Sequence, residues 1–134
     1  MTADSTTGFA VEYLCTWIEP DADRRKAVIE QVWTPEGKMS VSSLGITIEG
    51  VDAIVAHIGR VHEEMIAGKG LRFVYDQEIQ SGDATLLRWS MLASNAETVG
   101  RGADLVFRDE QGKVTTVYMF MGCLLYTSPS PRDS

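Results

Sequence analysis

Residues 51–76 read VDAIVAHIGRVHEEMIAGKGLRFVYD, and within this stretch the apolar period changes from that of a helix to that of a strand. Val51, Ile54, Val55, Ile58, Val61 and Met65 recur at steps of three and four, opposite Asp52, Arg60, Glu63 and Glu64. That spacing predicts an amphipathic helix over 52–66. Ala67-Gly68-Lys69-Gly70 ends it, glycine being the residue that tolerates the backbone turn past a last helical residue. From Leu71 the step becomes two, with Leu71, Phe73 and Tyr75 on one side and Arg72 and Asp76 on the other, which is the pleat of a half-buried strand. The chain therefore divides here, with helices mostly before the switch and strands after it.

On the N-terminal side, Phe9, Ala10, Tyr13, Leu14, Trp17 and Ile18 share a wide face of a helix over 9–19, with Thr6 or Thr7 as its cap and Pro20 as its stop. A second helix is predicted over 23–33, capped by Asp21 or Asp23, with Val28, Ile29, Val32 and Trp33 as its buried stripe. Thr34-Pro35-Glu36-Gly37 reads as a break, followed by short strands at 38–41 and 46–49. On the C-terminal side, strands are predicted at 84–93, 103–108 and 114–121, with turns at 81–83 and 109–113. The order ααββαββββ is an α+β layout. The last strands are apolar on both faces, as Leu86 with Leu87, Leu105 with Val106 and Phe120 with Met121 show. A sheet covered by helices on one side and apolar on the other is expected to pack on a second copy of itself.

Composition narrows the function. The chain has 134 residues, 12 Lys and Arg against 19 Asp and Glu, a net charge of −7 and 44% hydrophobic residues. This suits one globular domain with its own core. The acid excess argues against nucleic acid, since the longest basic cluster is Arg24-Arg25-Lys26 between Asp23 and Glu30. Cys15 and Cys123, at opposite ends, make neither a disulfide framework nor a thiolate metal site. A Thr-rich start without positive charge and the lack of an apolar run of ~18 residues leave a cytoplasmic protein with no membrane partner as the expectation. Residues 123–133, CLLYTSPSPRD, resemble the translation of a transposase-type sequencing adapter. The expected domain is therefore 1–122, with 123–134 an artefactual tail and Cys123 without meaning.

Several local patterns, in order and at ordinary spacing, carry a family resemblance: Tyr13-x3-Trp17, Asp23-Arg24-Arg25, Glu49-Gly50-Val51-Asp52-Ala53-Ile54, the run 102–107, Gly112-Lys113-Val114 and Tyr118-Met119-Phe120. Over residues 9–122 the chain resembles the nuclear-transport-factor-2-like superfamily, and in particular its SnoaL-like branch. The resemblance implies a curved, cone-shaped sheet, antiparallel or mixed, wrapped around three helices with an apolar pocket inside. The superfamily includes ketosteroid isomerases, polyketide cyclases, epoxide hydrolases and members without chemistry, so the fold alone selects no reaction.

Asp104 lies in an apolar strand between Ala103 and Leu105, where a charge is costly unless paired or neutralised. The resemblance implies that it matches the proton-donating Asp of ketosteroid isomerases, and that Tyr13 matches their helix-one Tyr, a pair able to hold a developing enolate. The plain structural alternative is a Tyr hydroxyl satisfying a semi-buried Asp. The base carboxylate of those isomerases has no counterpart, because the equivalent stretch is Ser40-Val41-Ser42-Ser43. Steroid-type isomerisation is thereby disfavoured, as is the epoxide-hydrolase pattern, since Val117-Tyr118-Met119-Phe120 lacks the acid it needs. A single-Asp acid/base scheme, as in polyketide cyclases, remains.

His62, on the apolar stripe near Ile58 and Met65, is a candidate helper base, with His57 at the stripe's edge. Their i,i+5 spacing is not that of a one-face metal pair, so neither metal nor other cofactor is expected. Trp17, Ile58, Phe73, Val106 and Tyr118 are candidate lining residues, although tryptophans are as readily packing residues. Of Arg88 and Trp89 only one can face inward, and Arg88 is expected at the rim. Cys15 has no evident base partner. Three functions stay open: a cofactor-free enzyme using Asp104, Tyr13 and His62 on a small apolar substrate, a non-catalytic ligand-binding module, and a structural homodimer.

Overall fold

A computed structural model describes residues 8–42 and 44–122, so the adapter-like string and the Thr6 and Thr7 caps lie outside the described residues. Helices α1 (Gly8–Ile18) and α2 (Ala22–Val32) precede strands β1 (Trp33–Val41) and β2 (Ile46–Glu49). Helix α3 (Val51–Val61) continues as a π-helical stretch, His62–Ala67. Strands β3 (Arg72–Ser81), β4 (Ala84–Leu92), β5 (Thr98–Arg108) and β6 (Val114–Gly122) follow. The six strands form one open sheet in the order β2-β1-β6-β5-β4-β3, antiparallel throughout except where β1 runs parallel to β6. This is the α+β arrangement expected from the period switch.

Local chemistry accounts for the element ends. Asp21 is the cap of α2, its carboxylate accepting the Arg24 N–H at 3.0 Å and satisfying a donor the helix cannot. The buried Arg25 guanidinium donates to the Glu19 carbonyl at 2.8 Å, tying the end of α1 to α2. Two strand starts differ from the sequence reading. β1 begins at Trp33, with residues 34–37 inside the strand, because its register shifts between Trp33 and Lys38, and a bulge accommodates Pro35, which has no N–H to donate. β5 begins at Thr98 and not at 103, since Gly100 and Gly102 carry no side chain to show the alternation.

The core lies between the helices and the concave face of the sheet. Tyr13, Ile29, Ile54 and Ile58 pack there against Met39, Leu87, Val106, Val114 and Val117, all essentially inaccessible. The opposite face carries a continuous apolar stripe. Register places Ile79 beside Leu86, Leu86 beside Leu105 and Leu105 beside Tyr118, with Phe120 beside Ala103. Ile79, Tyr118 and Phe120 are 45%, 43% and 53% exposed, so no described part of the chain covers this side.

Candidate functional site

The site grows from the pairing of β4 with β5. Leu87 stands opposite Asp104 and Trp89 opposite Gly102, and alternation turns Thr85, Leu87, Trp89 and Met91 of β4 and Gly100, Asp104 and Val106 of β5 toward the helices. The Trp89 indole lies against the backbone at Gly102. A Cβ at that position would sit 2.3 Å from Cζ2 of the ring and 2.5 Å from the Phe120 carbonyl oxygen, so the close approach requires glycine. In this pose the indole Nε1–H donates to Asp104 Oδ1 at 3.0 Å.

Asp104 is only 2% exposed. Burial disfavours its charged form and raises its pKa to about 7, against the smaller opposing effect of the Trp89 hydrogen bond. Two phenols share this interior. Tyr13 and Tyr75 stack with ring centroids 6.5 Å apart, and burial first, then the negative charge on Asp104, pushes both hydroxyls well above the usual phenol range. Both remain protonated donors at neutral pH.

A cavity of about 230 Å³ opens in front of Asp104. Its walls come from Leu14 and Trp17 of α1, Val41 of β1, His57 and Val61 of α3, Glu64 and Met65 of the π-helical stretch, and Phe73, Tyr75, Trp89, Met91, Met119 and Met121 of the sheet, with Leu44 at the β1–β2 turn. Trp17 meets His57 edge-on at 6.2 Å and Phe73 meets Trp89 edge-on at 5.7 Å. Burial, and then the positive charge of Arg60, lowers the pKa of His57 and keeps its imidazole neutral.

The sequence candidates separate in this geometry. Asp104, Trp17 and Phe73 line the cavity. Tyr13 is fully buried behind it and makes no hydrogen bond to Asp104. Its hydroxyl and the Trp17 indole N–H have no hydrogen-bond partner among the described residues, although the indole is near enough to oppose slightly the upward shift of the phenol. His62 is buried away from the cavity, its Nε2 unpartnered, its pKa lowered by burial first and then by Arg25. His57 occupies the cavity wall that the sequence reading assigned to His62. Helical spacing separates the two histidines: His57 shares its side with Val61, Glu64 and Met65 of the lining, whereas His62 lies four residues beyond Ile58 on the side buried in the core. Ile58 and Val106 are core residues outside the lining, and Tyr118 stands on the opposite sheet face, edge-on to Phe107 at 6.2 Å. Trp89 faces inward and Arg88 is exposed. Sequence reasoning left Tyr75, Trp89 and the cavity methionines out of the lining set and put His57 only at the stripe's edge. Alternation from Phe73 already favours an inward Tyr75, but placing Trp89 beside Asp104 needs the cross-strand register. Among the described residues no group of three His, Cys, Asp or Glu converges as a metal site.

The Trp89 hydrogen bond makes one prediction immediate. Trp89→Phe removes the group that favours the carboxylate, so Asp104 titrates higher by roughly 1–2 pH units. Carboxyl carbon chemical shifts followed against pH measure this, and an unmoved midpoint means that the indole does not act on the acid.

No protein-family model matches the sequence, and no curated protein does. Solved structures do match. A proposed isomerase of the SnoaL-like family from Agrobacterium tumefaciens is 25% identical, with a TM-score of 0.76 over 85% of this chain and 94% of that one. A proposed SnoaL-like polyketide cyclase from Jannaschia is 16% identical, with a TM-score of 0.67 over 95% and 94% of the two chains. A protein of ketosteroid isomerase-like fold from Catenulispora acidiphila, solved with trimethylamine, is 11% identical, with a TM-score of 0.69 over 88% of each chain; that likeness speaks for the fold alone. The chain has the nuclear-transport-factor-2-like fold. Within that fold it is similar to SnoaL-like proteins, the Agrobacterium structure among them.

Proposed function

We propose that this chain is a small-molecule-binding SnoaL-like domain whose cavity presents one titratable carboxyl, Asp104, to a compact apolar ligand. The observation that carries the reading is a carboxyl withdrawn from water, poised near neutrality and opening on an apolar cavity. A group with that pKa can give and take one proton at physiological pH, the property required of an acid/base in cofactor-independent isomerisation or cyclisation. The first strand supplies no second base, since Val41 faces the cavity and the Ser40 hydroxyl is bonded to that of Thr47 at 3.0 Å. In a scheme confined to Asp104, the proton it removes is the one it returns. The absence of a Tyr13–Asp104 hydrogen bond favours a second reading, in which the cavity binds a ligand without transforming it.

The cavity is smaller than the ~300–1,000 Å³ typical of drug-sized ligands, which limits the ligand to a compact molecule. A ligand at ~100 times its Kd stabilises the fold by about 2.7 kcal/mol. Thermal unfolding against a panel of small apolar compounds should therefore show a midpoint raised by several degrees, and a panel without any shift rejects the reading. Turnover of a hit that Asp104→Asn abolishes separates catalysis from binding.

The exposed stripe of Ile79, Tyr118 and Phe120 suits a second copy of this chain, because a two-fold axis sets one apolar stripe against its own equivalent. Light scattering should report a dimer that Phe120→Asp converts to monomer. A wild-type monomer at tens of micromolar rejects this assignment.

A further inference from the structure

The cavity wall is apolar, and the charged residues in it are both acids. We propose that the molecule it takes carries a cationic amine, held at Asp104 and surrounded by the Trp17, Phe73, Tyr75 and Trp89 rings. This inference rests on the reading of the cavity as a ligand site.

Among the fifteen lining residues there is no Lys and no Arg, and the two charged residues are both acids, Asp104 at depth and Glu64 on the π-helical stretch. His57, the one basic side chain in the lining, is held neutral by burial and by Arg60. An anionic ligand would meet two carboxyl groups and no counter-charge, so the wall rejects it. A neutral ligand gains apolar contact and at most one hydrogen bond from the acid. An ammonium group gains more from the same atoms. Oδ1 of Asp104 accepts the Trp89 N–H, which leaves Oδ2 as the carboxyl oxygen to meet a ligand, on a residue that is 2% exposed and lines the cavity. Aromatic faces attract cations through their quadrupole, and four rings line this one space. The thioethers of Met65, Met91, Met119 and Met121 complete a soft, polarisable wall that fits N-alkyl groups without competing for the charge. The net charge of −7 also favours the approach of a cation.

Protons balance whichever form enters. A protonated amine pairs with the ionised acid. A neutral amine takes the carboxyl proton, an O–H bond breaking as an N–H bond forms, and the same ammonium–carboxylate pair results.

Three probes with one ring body test this by titration calorimetry at pH 7: cyclohexylmethylammonium, methyl cyclohexyl ketone and cyclohexanecarboxylate. The ammonium should bind about tenfold tighter than the ketone, and the carboxylate weakest of the three. Asp104→Asn should bring the ammonium-to-ketone ratio near one, and Glu64→Gln should lower it in part, with circular dichroism confirming that each variant is folded. If the ketone binds as tightly as the ammonium, the amine assignment is overturned while the ligand cavity stands. If the ammonium keeps its advantage in Asp104→Asn, it sits elsewhere and the assignment is overturned. If none of the three binds, the cavity reading falls and the amine with it.

Discussion

Asp104→Asn should make the protein more stable at pH 7 and remove a loss of stability that the wild-type chain suffers between about pH 4 and pH 7. The unfolded carboxyl titrates near its ordinary 3.8, whereas the folded one titrates at about 7. In that interval the unfolded chain has released the proton and the folded chain still holds it. Stability contributed by the neutral acid is therefore fully present below the unfolded value, declines as pH rises and is lost by the folded value. A gap of about three pH units corresponds to an order of 4 kcal/mol. Asparagine keeps the oxygen that accepts the Trp89 N–H but adds an amide donor with no assigned partner, which takes back roughly 1–3 kcal/mol. The expected net gain at neutral pH is about 1–3 kcal/mol.

The buried histidines act with the opposite sign. His57 and His62 have lowered pKa values, so acidification below the ordinary 6.5 protonates the unfolded chain first and destabilises the fold. The informative quantity is thus the difference between variant and wild type in urea unfolding from pH 3.5 to pH 8. That difference should grow with pH and level off near neutrality. A difference that is constant, or that favours the wild type throughout, removes Asp104 from the role of poised buried acid. Gain of stability together with loss of ligand binding or turnover is the pattern expected of a functional residue kept at the expense of the fold.

Gly102→Ala has the opposite and equally large consequence. Its Cβ would meet the Trp89 ring at 2.3 Å and the Phe120 carbonyl oxygen at 2.5 Å. The ring can turn away, but the carbonyl belongs to the neighbouring strand β6, whose movement would disturb the ladder between Ala103 and Phe120. Alanine restricts the unfolded chain and on that ground alone would stabilise by roughly 0.4–1 kcal/mol. The overpacking outweighs it, and a net loss of about 2–3 kcal/mol is expected. The displaced indole also leaves Asp104 without its donor, so the carboxyl titration should move upward as in Trp89→Phe. Gly59→Ala is the control, since its Cβ meets nothing nearer than an Arg25 nitrogen at 3.8 Å and lies within α3. Alanine there should stabilise by up to about 1 kcal/mol. Equal effects of the two substitutions would show that glycine is not required beneath the indole.

The order of helices and strands was legible because apolar periodicity belongs to neighbouring residues, and the change of step at Leu71 survives any tertiary context. Asp21 as a helix cap and Asp104 as an out-of-place charge were visible for the same reason, each being defined against adjacent residues. Which groups meet Asp104 was not visible. Trp89 reaches it through the register of two strands whose pairing shifts between Met91 and Leu92, and through a glycine that removes a side chain from beneath the ring, and neither leaves a mark on residues 89 or 104 themselves. The side of α3 that meets the cavity was likewise not visible, and the placement of the helix decides that His57 lines the wall while His62 joins Ile54 and Ile58 in the interior. Sequence alone determined the elements and the conspicuous acid, because these follow from local period and local cost. Tertiary structure decided the acid's partner, its burial and the wall in front of it, because those depend on register and depth, which join residues far apart in the chain.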